Sequence, residues 1–268
     1  MRLAPRLLAA AGAAAAGLAA AQCRARTAAD DIAGAPYALS GASCPAHDPA
    51  VASALGVDGV QQLYVWATDA GARAPLLRQW CSADRASFQV CGHILPAGLP
   101  SWAAALVPTA TNAWAPDVSY FAGTGQWHAY YAVSEFGKRV SCIGLAQTPT
   151  LDPRDAAFGW RDAGRPVLCT NESDAYNAID ANVVWDAASG SPSLVFGSFW
   201  SGIQVLPLDA ATGLLAAGAQ QPVNIASRDQ PGSDGAIEGA FMVHSNHSAM
   251  PGYFLFVSWD HCCQGAKR

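Results

Sequence analysis

The 268-residue sequence predicts an all-β chain arranged as a radial propeller, and three observations carry that reading. Segments rich in β-branched and aromatic residues, bounded by Gly, Pro, Asp or Ser, recur along the chain. No sustained 3.6-residue apolar period follows the first 21 residues, and an acidic side chain returns about every 60 residues. The longest segments are QQLYVWATD (61–69), QWHAYYAVSE (126–135), SLVFGSFW (193–200) and GYFLFVSWD (252–260), with LLRQWCSAD, VSCIGLAQT and GIQVLPLD as further short strands between them. Each long strand follows a shorter one that begins beside an acid: HDPAVAS with Asp48, WAPDVSY with Asp117, AIDANVVW with Asp180 and AIEGAFMV with Glu238. These acids are 69, 63 and 58 residues apart. In a propeller each blade is a four-stranded sheet whose first strand lines the central channel, so one acid per blade converges on one end of the axis. A two-sheet sandwich is the alternative fold, but it gives no reason for an acid at the same phase of a repeat this long.

The opening MRLAPRLLAAAGAAAAGLAAAQ carries Arg2 and Arg6, then an Ala/Leu run, then Ala19 and Ala21 at cleavage-site spacing, which predicts a signal peptide over 1–21. Residues 22–40 read as a linker and 41–268 as the propeller domain, on a secreted chain with no membrane span. A net charge of −5 with only Lys138 and Lys267 as lysines offers no patch to neutralise a phosphate backbone, so nucleic acid is not an expected partner. The eight cysteines show no paired CxxC spacing, which disfavours zinc, and the secretory route favours disulfides whose connectivity spacing alone does not define.

Carboxylates gathered in a neutral, aromatic-rich cleft have few uses. Glycoside hydrolysis needs a protonated acid for the leaving oxygen and an ionised carboxylate for water or carbon, whereas calcium binding and turn capping need only oxygens. Spacing alone leaves these open.

Eight motifs narrow the choice: AHDPAV (46–51), NAWAPDVSYF (112–121), CIGLAQTPTLDP (142–153), YNAIDANVV (176–184), VFGSFWSGI (195–203), PLDAATG (207–213), AIEGAF (236–241) and FLFVSWDHCCQG (254–265). Through them the chain resembles the endo-1,5-α-L-arabinanases of glycoside hydrolase family 43, a five-bladed β-propeller group. The resemblance implies Asp48 as general base, Glu238 as general acid, and Asp180 as the third acid that orients Glu238 and modulates its proton affinity. It also implies a sugar groove lined by Asp48, Asn177, Ala178, Ile179, Asp180, Ser198, Phe199 and Trp200, with Trp114 and Gly144 as further contacts. The implied substrate is arabinan, a neutral polysaccharide; no cofactor is required, and a complete chain is expected to be a monomer.

Asp117 is read as a turn cap, and His244, His247 and His261 lack a ligand pattern, so no metal-ligating residue is assigned. Two departures from the family pattern stand out. Ala181 occupies a position usually held by proline, and the chain stops at QGAKR, where relatives continue through the rest of the fourth blade, a fifth blade and a histidine associated with a central metal or water site. Cleavage after Ala21 leaves 247 residues, room for four blades of about 60, so the expected propeller lacks its C-terminal blade and that histidine.

Overall fold

The structure, a computed structural model, describes residues 40–41, 46–69, 74–219, 221–229 and 234–261. The signal peptide expected at 1–21, nearly all of the 22–40 linker, and Cys23, Cys44, Cys262 and Cys263 lie outside the described residues.

Sixteen strands form four sheets among the described residues. In the first, β1 (Ser40–Gly41) pairs parallel with β5 (Ser87–Leu95), followed by β4 (Leu76–Ser82), β3 (Gln61–Thr68) and β2 (His47–Leu55). The second runs β10 (Leu168–Thr170), β8 (Ser141–Thr148), β7 (Gln126–Ser134), β6 (Trp114–Phe121), with β9 (Arg161–Asp162) also on β8. The third runs β11 (Asn182–Trp185), β12 (Pro192–Phe196), β13 (Ile203–Pro207), β14 (Val223–Ala226). The fourth pairs β15 (Ile237–Ser245) with β16 (Gly252–Trp259). One short helix, α1 (Ser101–Leu106), links the first two sheets.

The cores lie between neighbouring sheets, because each strand's alternating side chains meet a different blade on either face. On β7 this is explicit: Tyr131 and Val133 join Tyr64, Trp66 and Ile94 of the first blade, whereas Tyr130 turns the other way to Leu194, Phe196 and Leu206 of the third. Val184, Val195 and Ile203 then pack on Ile237 and Ala240 of the fourth sheet. The indole N–H groups of Trp66 and Trp160 both donate to Gln79 Oε1, at 3.1 and 3.2 Å, which satisfies the polar atoms buried with these rings. Two faces remain open among the described residues: Val51 and Leu55 on β2, and Phe241, Val243, Phe254 and Phe256 on the hairpin β15–β16 are exposed or partly so.

Every inner strand starts with the same irregularity. Asp48-Pro49 oppose one residue of β3, Ala115-Pro116 one residue of β7, and Gly239-Ala240 one residue of β16. Between the Ile179 carbonyl, bonded to Gly197 N, and the Asn182–Val195 pair, Asp180-Ala181 do the same. The first residue of each bulge is left-handed: φ is +50° at Asp48, +41° at Ala115, +56° at Asp180 and +60° at Gly239. This corrects the expectation of an acid at one phase. Asp48 and Asp180 are equivalent, but Glu238 stands one residue earlier, in the place of His47, Trp114 and Ile179, and Asp117 stands two later, in the place of Ala50 and Asn182. Asp and Gly suit the three bulges that carry catalytic candidates, at Asp48, Asp180 and Gly239, because a short polar side chain, or none, tolerates positive φ.

A second difference concerns SLVFGSFW. The strand ends at Phe196, because Gly197, Phe199 and Trp200 all have positive φ, at +121°, +57° and +45°.

Candidate active site

The inner strands surround a cavity of about 1010 Å³, lined by His47 and Asp48 from the first blade, Asp117 from the second, Asp180 and Asn182 from the third, and Gly239 and His244 from the fourth. The Asp48 side chain is 38% exposed, and its Oδ2 accepts from Thr68 Oγ1 at 2.9 Å and pairs with His47 Nδ1 at 2.7 Å. Both contacts fall on Oδ2, so among the described residues Oδ1 is the oxygen left to take a proton.

Glu238 accepts from Ser198 Oγ at 2.9 Å through Oε2, while its Oε1 is buried with no hydrogen-bond partner among the described residues. Asp180 accepts from Gly239 N at 3.1 Å, next to Glu238 in the chain. Burial first, and then the negative charge of Asp48, push the Asp180 carboxyl from its ordinary 3.8 up to about 7. Glu238 adds to the rise, while the Gly239 N–H and His47 oppose it. Three carboxyl groups from three blades therefore share one electrostatic neighbourhood, in which full ionisation is penalised.

This has a consequence for stability. The folded chain keeps Asp180 protonated between about pH 4 and pH 7, where the unfolded chain does not. The stabilisation is therefore complete below about pH 4 and lost as pH rises through about 7. Asp180→Asn keeps a neutral acceptor for Gly239 N at every pH. Its melting temperature should match that of the wild type at about pH 3 and exceed it at about pH 8; an equal difference at both pH values would refute the buried-charge account.

Asp117 is held as a clasp between blades: Oδ1 accepts from Asn182 Nδ2 at 3.1 Å and Oδ2 from Val183 N at 3.0 Å, and burial raises its pKa to about 6. Asn182 continues the clasp by accepting from Met242 N at 2.8 Å. Neither Asp117 oxygen is left without a partner, which agrees with a structural part.

The structure places the expected groove residues in two groups. Ser198, Phe199 and Trp200 follow β12 beside Glu238, with Phe199 N bonded to Ile237 O and the Phe199 ring 5.6 Å from that of His261. Trp200 is half-buried, and the Arg139 guanidinium sits 5.6 Å from its ring centroid. Ile179 and Asp180 enter the bulge of the third blade. Asn177, Ala178 and Gly144 are buried: Asn177 Oδ1 accepts from Ser141 Oγ at 2.6 Å, Ala178 N donates to Thr170 Oγ1 at 3.1 Å, and a Cβ on Gly144 would run into the Tyr131 ring. Trp114 is half-buried opposite Ala132. Of the three histidines, His244 accepts from Ala187 N and His247 from Ala249 N through Nδ1, and His261 pairs with Asp234.

Sequence reasoning passed over Thr68 and Asn182. The second had a signal, since it closes the NAIDAN run that holds Asp180; the first had none, because its partner lies 20 residues away across a strand pair.

Asp48, Asp180 and Glu238 thus bring three carboxyl groups to the inner ends of three propeller blades. Residues 53–268 match the family described as Glycosyl hydrolases family 43, and the chain belongs to it. It is 36% identical over 191 residues to the Extracellular endo-α-(1→5)-L-arabinanase 1 of Bacillus subtilis, covering 71% of this chain and 54% of that protein. The solved GH43 endo-arabinanase from Bacillus licheniformis is 34% identical with a TM-score of 0.71, over 86% of this chain and 70% of that one. An exo-1,5-α-L-arabinanase from a bovine ruminal metagenomic library is 33% identical with a TM-score of 0.69, over the same shares of the two chains. The chain spans about half the length of the curated relatives it matches, and no described helix is long and apolar enough to cross a membrane.

Proposed function

We propose that the protein is a secreted glycoside hydrolase that cleaves internal α-1,5-L-arabinofuranosyl bonds of arabinan with inversion. The observation that carries this is that Asp48, Asp180 and Glu238, from three blades, lie close enough for the charges of Asp48 and Glu238 to add to the rise that burial gives the Asp180 carboxyl. Glu238 gives its proton to the glycosidic oxygen as the bond from that oxygen to the anomeric carbon breaks. Asp48 takes a proton from the water whose oxygen forms the new bond to that carbon. Asp180, bonded to Gly239 N, fixes the backbone that carries Glu238 and adjusts the charge felt by both partners. Phe199 and Trp200 supply aromatic faces for sugar rings, and the scarcity of lysine suits an uncharged polymer. The chemistry draws on no cofactor.

The test is release of reducing ends from linear arabinan, followed by proton NMR of the first product. The new reducing end should appear as the β-anomer, as expected for acid and base about 6.5 to 9.5 Å apart with a water between. First accumulation of the α-anomer would refute inversion, and binding of arabinan without hydrolysis would make the protein a carbohydrate-binding propeller instead.

A further inference from the structure

We infer that Thr68 is a positioning residue for Asp48, and that it couples the orientation of the general base to the junction of the first two blades. This rests on the hydrolase reading above. Thr68 ends β3 in register with His47, the residue before Asp48, so its side chain stands across the bulge that carries the base. Its hydroxyl is used twice. It accepts from Ala115 N at 2.8 Å, the left-handed residue of the second blade's bulge, and donates to Asp48 Oδ2 at 2.9 Å. A hydroxyl has one proton, and the Ala115 amide can only donate, so the proton of Thr68 belongs to Asp48. The direction of the bond is therefore fixed.

That bond does chemical work. Asp48 sits on a left-handed residue and is partly open to solvent, a setting in which a short side chain has several orientations available. His47 and Thr68 both hold Oδ2 of a side chain that lines the cavity, which fixes the direction of the carboxylate. His47 is itself exposed, whereas Thr68 is anchored by the neighbouring blade. Losing that anchor leaves the carboxylate in place in sequence but not in direction, and misplacement of about 1 Å can cost about 100-fold in rate.

Thr68→Val keeps the shape and β-branching and removes the hydroxyl, whereas Thr68→Ser keeps the hydroxyl. On linear arabinan Thr68→Val should lower kcat by about 10- to 100-fold with KM changed by less than about twofold, and Thr68→Ser should restore most of the rate. In an Asp48→Asn background Thr68→Val should have no further effect, because the base it positions is gone. Crystal structures of the two variants supply a readout independent of turnover: the Asp48 side chain should leave its position in Thr68→Val and keep it in Thr68→Ser. An undisturbed Asp48 in Thr68→Val, a loss of rate that Ser does not rescue, or an equal loss in the Asp48→Asn background would overturn the inference. A wild-type chain that releases no reducing ends would refute the hydrolase reading instead, and the Asp48 positions would still decide the role of Thr68.

Discussion

Asp48→Asn and Glu238→Gln should each lower kcat on linear arabinan by about 10²- to 10⁴-fold, the usual cost of removing a general acid or base. An amide at position 48 cannot take the proton of an attacking water, and an amide at 238 cannot deliver one to a leaving oxygen. Both replacements keep size and most hydrogen bonding, including that from Ser198 to the residue at 238, so melting temperatures should change little. Asp180→Asn should also cost orders of magnitude, because an amide cannot gain or lose a proton beside Asp48 and Glu238 as the Asp180 carboxyl can. Asp117→Asn is the contrast. It weakens a clasp to Asn182 and Val183, a stability loss of about 0.5 to 2 kcal/mol, and should reduce turnover far less. Near-full activity of Asp180→Asn, with a normal circular dichroism spectrum, would remove the convergent-acid account at its centre.

Replacing Cys142 and Cys169 together by alanine should lower stability by about 3.5 kcal/mol, the loop-closure entropy of a bridge spanning 27 residues. For a chain of this size that is about 7 to 14 °C in melting temperature. The bridge joins a registered pair across β8 and β10. The loop it closes leads directly to the acid: Thr170, next to Cys169, receives Ala178 N, and Ser141, next to Cys142, donates to Asn177. Loss of the bridge should therefore raise hydrogen exchange at Ala178 and Ile179 as well as lowering the melting point. The Cys81–Cys91 bridge spans only 10 residues within the first blade, and its removal should cost about 2.7 kcal/mol without touching those amides. Equal exchange at 178 and 179 with and without the Cys142–Cys169 bridge would refute the link to the site.

The strands were legible where their side chains alternate or run apolar between breakers, as in QQLYVWATD and QWHAYYAVSE, because burial on one or two sheet faces is written directly into neighbouring residues. SLVFGSFW misled at its end for a related reason: its aromatic residues have high strand propensity, but three left-handed residues turn the chain away after Phe196. The family motifs identified Asp48, Asp180 and Glu238 as acids of interest.

Their phase was different. Counting residues put one acid per blade at one position, whereas the bulge shared by the four inner strands shows Glu238 one residue ahead of Asp48 and Asp180, and Asp117 two behind. Sequence by itself determined the strand content and the acids, since these follow from residue type and local pattern. Only the tertiary structure decided which acid clasps two blades, which oxygen of Glu238 has no partner among the described residues, and that Thr68 holds Asp48. Those facts depend on hydrogen bonds between strands and blades, whose partners lie from 20 to 66 residues apart and whose geometry is set by packing rather than by neighbours in the chain.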